Sequence, residues 1–200
     1  MRTLSFILGL LLCASSSFAQ IKITETFDGA GRLDWNEHAT KQTSALIKMG
    51  ALDIEVMEKD YITWCLADLP IIAEYDFKIT AKLIVPKIAE TDSFGILIDM
   101  DKDFNMTAFL FTENKFKACK FNDGKFLTNV GAERHIKLPK GKDRQMEVVI
   151  ERRGGKYIIS YDNIDTFKWS ADITSPTLGF ITSSHLKVDE LIIEQQYSGK

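Results

Sequence analysis

The chain has 200 residues, of which 45% are hydrophobic and 26% are charged, and its formal net charge at pH 7 is −3. These values are typical of an ordinary globular domain, and a domain of this length buries enough surface to fold without a metal or a disulfide. Acidic and basic residues are interspersed along the sequence instead of forming blocks. This pattern argues against a nucleic-acid partner and against a polybasic contact with a membrane surface.

Residues 1–19 predict a secretory signal peptide. Arg2 is followed by an apolar run over 4–12 and then by mostly small residues up to Ala19, the layout of a leader removed during export. A lipoprotein anchored at Cys13 is the alternative, although a leucine stands where lipoprotein processing normally requires a small residue. We therefore expect cleavage near Ala19 and one domain over 20–200, periplasmic or extracellular and without membrane insertion.

Export would leave Cys65 and Cys119 as the cysteines of the mature chain. A disulfide between them would close a long loop and stabilise the fold by up to about 4 kcal/mol. The alternative is two buried free thiols that pack as small hydrophobic groups. Both alternatives stay open, because the sequence does not show whether the two strand-like segments are neighbours. The pair lacks the spacing and the companions of a zinc site.

From residue 20 onward, apolar and polar residues alternate with a period of two, which is typical of β-strands. Pro86 ends the clearest of these strands because proline cannot donate to the ladder. Two other segments are apolar at successive positions, as expected of central strands covered on both faces. The alternating segments are 52–56, 76–85 and 145–151, and the continuously apolar ones are 94–98 and 108–111.

Turn signals separate the strands at short intervals. Asn122-Asp-Gly124 is a strong hairpin signal, Arg153-Gly-Gly155 joins two alternating segments, and Ser175-Pro176 precedes the strand 177–181. No segment shows the apolar stripe of a helix. About a dozen short strands without helices indicate an all-β sandwich or barrel. The length, and the mixture of half-buried and doubly buried strands, favour the sandwich.

The order of these segments resembles the concanavalin A-like lectin and glucanase superfamily, in its laminin-G-like bacterial branch, close to the 3-keto-disaccharide hydrolase-like domains. The resemblance covers nearly the whole chain after the leader and implies a two-sheet antiparallel jelly-roll sandwich. It also implies a carbohydrate-binding concave sheet face. It rests on Glu25-Thr-Phe-Asp28, the strand 76–81, Phe94-Gly-Ile-Leu-Ile98, Leu178-Gly-Phe180 and Val188-Asp-Glu-Leu191.

The catalytic signature of the glucanases, Glu-x-Asp-x-Glu on one strand, is absent from the sequence. Glycoside hydrolysis ordinarily needs two carboxylates close together. Asp53 and Glu55 share a strand face, and so do Glu147 and Glu151, but both pairs alternate with apolar residues that should face the core. We therefore expect these acids at the surface, and we make no assignment of catalytic residues.

Asp99-Met-Asp-Lys-Asp103 imitates the opening of a calcium-binding loop. Phe104 stands where that loop needs glycine and Leu110 where it needs a bidentate glutamate. A polar hairpin tip is the favoured interpretation, so no cofactor or metal is expected, with calcium at this turn as the alternative. Asp99 and Asp101 are retained as candidate ligand contacts.

The chain has three tryptophans, Trp35, Trp64 and Trp169. An indole exposed on a concave sheet can stack on a sugar, because it offers an apolar face with a polar edge. Burial in the core is the commoner fate of a tryptophan in a sandwich. Trp64 is the candidate for ligand binding.

The sequence therefore favours a secreted, non-catalytic module that binds carbohydrate on its concave sheet face through Trp64, Asp99 and Asp101. The first alternative is a sandwich that binds another protein and has no glycan site. The second is a divergent glycoside hydrolase whose acids meet only in three dimensions.

Overall fold

A computed structural model describes residues 19–29, 31, 33–72, 74–85, 89–100, 103–122, 125–129, 133–139, 141, 143–170 and 175–197. The predicted leader, apart from Ala19, lies outside these residues, and so does Asp101. Within the described part of the chain, no helix is long and apolar enough to span a membrane.

All regular structure in the described residues is β-strand, arranged in two antiparallel sheets. The strands are β1 (Ala19–Glu25), β2 (His38–Ala39), β3 (Thr43–Lys48), β4 (Ala51–Val56), β5 (Thr63–Asp68), β6 (Phe77–Val85), β7 (Phe94–Ile98), β8 (Asn105–Phe111), β9 (Lys115–Asn122), β10 (Lys125–Asn129), β11 (Arg134–His135), β12 (Arg144–Arg153), β13 (Lys156–Tyr161), β14 (Ile164–Ser170), β15 (Thr177–Thr182) and β16 (His185–Tyr197).

The first sheet has nine strands in the order β14-β13-β12-β6-β16-β4-β3-β2, with β1 also paired to β16. The second sheet has seven strands in the order β10-β9-β8-β7-β15-β5, with β11 also paired to β9. The two-sheet, all-β sandwich expected from the sequence is confirmed.

The alternation of β6 shows why these segments form half-buried strands. Phe77, Ile79, Ala81, Leu83 and Val85 are buried in the core between the sheets, and the residues between them are partly or fully exposed. Burial of each large apolar side chain contributes about 1.5–3 kcal/mol. A shift of register by one residue would place this whole set on the opposite face. The period of two therefore fixes the orientation of β6 between β12 and β16.

Two tight turns connect β12, β13 and β14. Gly154 and Gly155 have φ angles of 55° and 76° between β12 and β13, as the Gly-Gly signal predicts for a hairpin. Asp162 and Asn163 have φ angles of 45° and 63° between β13 and β14. Aspartate and asparagine tolerate this left-handed region better than most residues. The second hairpin thus forms without a glycine.

Aromatic rings from both sheets meet in the core. Trp35 lies 5.9 Å from Phe27 and 5.7 Å from Phe180, measured between ring centroids. Phe111 in the seven-stranded sheet lies 6.0 Å from Tyr161 in the nine-stranded sheet. The contact between Phe111 and Tyr161 therefore joins the two sheets face to face.

The segment 35–39 closes one side of the sandwich. Asn36 lies against β5, where its backbone N–H donates to the carbonyl of Leu66 at 3.0 Å and its Oδ1 accepts from the Leu66 N–H at 2.7 Å. His38 then pairs with Ala45 of β3 in the other sheet. The segment therefore protects the open edge of β5 and ties it to the edge of the nine-stranded sheet.

The two cysteines lie on opposite faces of the seven-stranded sheet. Cys65 belongs to the core between the sheets, whereas Cys119 belongs to an apolar cluster on the outer face. Both are free and buried, and burial raises the pKa of each thiol. The sequence left open a disulfide or two buried free thiols, and in the structure both cysteines are free thiols.

Candidate functional site

The outer face of the seven-stranded sheet is concave. The rings of Trp64 on β5 and Phe121 on β9 lie 5.2 Å apart at an interplanar angle of 76°, although β15, β7 and β8 separate their strands. Neighbouring strands are spaced by about 4.8 Å, so four steps across a flat sheet would cover about 19 Å. The two rings can meet only because the sheet curves around this face.

The floor of the concave face is apolar and buried. Trp64 and Leu66 of β5 pack against it and remain partly exposed. A Cβ at Gly179 would collide with Cδ2 of Leu66, so the glycine gives this side chain room over the floor. The buried members of the cluster are Leu97, Met106, Ala108, Leu110, Cys119, Phe121 and Ile181. This cluster explains why 94–98 and 108–111 are apolar at successive positions, and it confirms them as strands covered on both faces.

A groove of about 400 Å³ lies at the rim of the concave face, beside Trp64. It runs along the edge of β5, where the segment 35–39 crosses to the other sheet. The residues that line it are Asn36, Glu37, His38, Thr43, Ile62, Thr63 and Trp64. We call this the rim groove.

Hydrogen bonds fix the polar wall of the rim groove. Nε2 of His38 lies 2.8 Å from Oγ1 of Thr63, and its Nδ1 lies 3.4 Å from the carbonyl oxygen of Asn36. Oε2 of Glu37 accepts from the backbone N–H of Ile47 at 2.7 Å. Among the described residues, no hydrogen bond uses Oε1 of Glu37 or the side-chain nitrogen Nδ2 of Asn36. The wall therefore offers an acceptor and a donor beside an indole ring.

Among solved structures, the chain is similar to a laminarinase from Flavobacterium sp. UMI-01, with 10% identity, a TM-score of 0.59, and coverage of 86% of this chain and 98% of the other. It is also similar to a β-glucanase from Bacillus licheniformis, with 8% identity, a TM-score of 0.58, and coverage of 90% and 98%. A carbohydrate-binding module from Bacillus subtilis has 16% identity, a TM-score of 0.52, and coverage of 77% and 90%. The fold is the concanavalin A-like jelly roll. No family model and no curated protein matches the sequence.

The jelly roll places Asp99, the other predicted ligand residue that the structure describes, apart from Trp64. Asp99 follows β7 at the end of the sheet opposite the rim groove, because Ile98 pairs with Leu178 while Trp64 pairs with Ile181. Asp99 is buried with φ 61°, and its Oδ1 accepts from the backbone N–H of Ser175 at 3.1 Å. It thus joins two loops at that end. Asp101 lies outside the described residues.

The tryptophans differ in their positions in the jelly roll. Trp35 is buried in the core with Phe27 and Phe180, and the side chain of Trp169 lies outside the described residues. Trp64 is partly exposed and lines the rim groove. Asn36, Glu37 and Thr43 join it there through folding alone, and no motif in the sequence signals their proximity.

Asp53 corrects one expectation from the sequence. It lies on the outer face of the nine-stranded sheet, as the alternation predicts, but only 5% of it is exposed. Burial alone would raise the pKa of its carboxyl group, whereas His185, Lys48 and Lys187 lower it, and the net effect is a lowered pKa. The expected surface position was wrong because these side chains, from β3 and β16, cover the carboxylate. Glu55, Glu147 and Glu151 are partly exposed.

The described residues contain no group of three or more His, Cys, Asp or Glu side chains that could hold a metal ion. Calcium at the Asp99–Asp103 turn stays a prediction, because Asp101 and Lys102 lie outside the described residues.

Proposed function

We propose that this chain is an exported, non-catalytic carbohydrate-binding module whose ligand stacks on Trp64 in the rim groove. The observation that carries the proposal is the partly exposed indole of Trp64 beside the polar wall formed by Asn36, Glu37 and His38. The apolar face of a sugar ring packs on an indole, while side-chain amide and carboxylate groups bond its hydroxyls.

The contact with Phe121 supports a binding role for Trp64. Phe121 is fully buried and meets the indole in an edge-to-face arrangement at 5.2 Å. An aromatic side chain that is already held in one orientation loses little conformational entropy when a ligand binds. Trp64 is therefore a preorganised platform.

The filled floor of the concave face favours a ligand site at its rim. Leu97, Ala108 and Ile181 in the middle of that face are at most 1% exposed and offer a sugar neither an open surface nor hydroxyl partners. The rim groove offers both. A ligand there would follow the edge of β5.

Two observations favour binding over hydrolysis. Glycoside hydrolysis ordinarily uses two carboxylates, whereas Glu37 is the single carboxylate among the described residues that line the rim groove. The sequence also lacks the glucanase triplet. The fold is shared with two glucanases and with a carbohydrate-binding module, and it is the binding module whose role this groove suits.

Export is part of the proposal. The basic, apolar and small-residue segments of residues 1–19 support cleavage near Ala19 and a periplasmic or extracellular location. A glycan outside the cell is then the partner, and no nucleic acid is involved.

The test is a titration of residues 20–200 with laminarin, barley β-glucan and galactomannan, followed by tryptophan fluorescence and calorimetry. We expect saturable binding of at least one polymer and a loss of about tenfold or more in affinity, ~1.4 kcal/mol, in Trp64→Ala. Ile164→Ala is the matched control, because Ile164 is 55% exposed and lies on β14, at the edge of the nine-stranded sheet farthest from the groove.

A folded protein that binds none of the three polymers would overturn the proposal and favour the protein-binding alternative. Equal losses in Trp64→Ala and Ile164→Ala would overturn the assignment of the ligand to the rim groove. Release of reducing sugars from a bound polymer would contradict the non-catalytic role.

A further inference from the structure

The described lining of the rim groove carries a negative charge and no lysine or arginine charge. Seven described residues line it, and none of them is lysine or arginine. Glu37 is the one acidic residue among them, and the others are an amide, an imidazole, two hydroxyls and two apolar side chains. A ligand that enters the groove therefore meets a carboxylate without a basic side chain in the lining to offset it.

Glu37 is held in place by the fold. Its Oε2 accepts from the backbone N–H of Ile47 at 2.7 Å, while Asn36 and His38 on either side are bound to β5 and β3. The three consecutive residues thus span the two sheets, and the bond from Ile47 N–H holds the exposed carboxylate at the groove.

The charge of Glu37 acts on the edge strand that carries Trp64. Burial, with the negative charge of Glu37 as a second cause, raises the pKa of Cys65 to about 12. Cys65 is the neighbour of Trp64 in β5. Glu37 and Trp64 line the same groove, so a ligand stacked on Trp64 would lie beside this carboxylate.

We propose that the rim groove selects uncharged glycans over glycans that carry carboxylate or sulfate groups, with Glu37 as the residue that determines this specificity. The inference rests on the proposed function and names the class of ligand for the same site. An anionic group brought beside Glu37 meets like-charge repulsion, whereas a hydroxyl can donate a hydrogen bond to Oε1. At such short range this difference corresponds to about tenfold in affinity at low salt.

The test compares each neutral polymer with its own oxidised form. Laminarin, barley β-glucan and galactomannan are oxidised at C6, which converts primary alcohols to carboxylates and keeps the backbone. The native mature chain is titrated with both forms at low ionic strength. We expect the neutral form of the polymer that binds to be favoured by about tenfold, and we expect this preference to shrink in about 0.5 M salt, where charges are screened within a few ångströms.

The decisive variant is Glu37→Gln, because glutamine keeps an oxygen that can accept from Ile47 N–H but carries no charge. We expect its preference for the neutral form to fall to about threefold or less, through stronger binding of the oxidised polymer. Glu74→Gln is the matched control. Glu74 is exposed and follows β5 at the end away from the groove, so this variant changes the net charge equally and should keep the wild-type preference.

The outcomes separate the two proposals. If the wild-type protein binds neutral and oxidised forms equally, or if Glu37→Gln keeps the wild-type preference, the inference is wrong while the proposed function stands. If Glu37→Gln weakens both forms by the same factor, Glu37 is a contact without charge selection, and the inference is again wrong. If no neutral polymer binds, the proposed function fails and the inference fails with it.

Discussion

Nε2 of His185 lies 2.7 Å from Oδ1 of Asp53, across two paired strands on the outer face of the nine-stranded sheet. The other carboxylate oxygen lies 3.4 Å from Nζ of Lys48 and 3.5 Å from Nζ of Lys187. The side chain of Asp53 is 7% exposed, while its three partners are between 31% and 45% exposed. Partly exposed cationic or polar side chains thus cover a buried carboxylate and stabilise its charge.

This arrangement predicts how stability depends on pH. The pKa of Asp53 is lowered from its ordinary value of 3.8 in the folded protein. A lowered folded pKa contributes stability that is present above the unfolded pKa and is lost as the pH falls through the folded value. We expect Asp53→Asn to lower the free energy of unfolding by about 1 kcal/mol at pH 5 to 7, and we expect this difference to shrink as the pH falls below the ordinary pKa of 3.8. Urea unfolding at several pH values measures it.

Glu55→Gln is the control for Asp53→Asn. Glu55 lies two residues along the same strand face and is partly exposed, so its replacement should change stability by less than about 0.5 kcal/mol. A difference for Asp53→Asn that stays constant from pH 7 to pH 2.5 would show that packing, and not charge, stabilises this cluster.

The contact between Trp64 and Phe121 predicts that Phe121 holds the indole of Trp64 in its orientation. Phe121→Leu keeps an apolar side chain but removes the edge-to-face contact, so we expect a loss of about 1–2 kcal/mol in stability. We also expect acrylamide to quench Trp64 more strongly, since the indole would no longer be held by Phe121. The Trp64 signal is isolated by subtracting the same measurement on Trp64→Phe. Unchanged quenching in a destabilised Phe121→Leu protein would mean that other side chains hold the indole.

The positions of Cys65 and Cys119 predict that the fold does not depend on a disulfide. The thiols lie on opposite faces of one sheet, so no bridge forms without rearrangement of the strands. We expect the purified mature chain to show two free thiols after unfolding, no reaction with Ellman's reagent when native, and the same melting temperature with and without reductant. A native mass lower by two hydrogens would contradict this arrangement.

Patterns over a few residues predicted the strands but not the site. The alternation of 76–85 and the continuous apolar character of 94–98 each require only neighbouring positions, because the period of a strand determines its buried faces. The rim groove instead requires Asn36 and Glu37 to lie beside Trp64, which is more than twenty residues away in the sequence. The hydrogen bond from Leu66 N–H to Oδ1 of Asn36 brings the two segments together. No local pattern encodes that meeting. The burial of Asp53 was missed for the same reason, since its covering side chains come from other strands.

The bond between Asn36 and Leu66 predicts how the edge of β5 is protected. Oδ1 of Asn36 accepts the Leu66 N–H at 2.7 Å, and Asn36→Ala would leave this donor without its side-chain partner. We expect Asn36→Ala to lower the free energy of unfolding by about 1 kcal/mol and to speed amide exchange at Leu66, measured by urea unfolding and hydrogen exchange. Asn36→Asp keeps an oxygen at the same position, so it should retain most of the protection. Equal exchange rates at Leu66 in both variants would show that the backbone of the segment 35–39, and not the Asn36 side chain, seals the edge beside the rim groove.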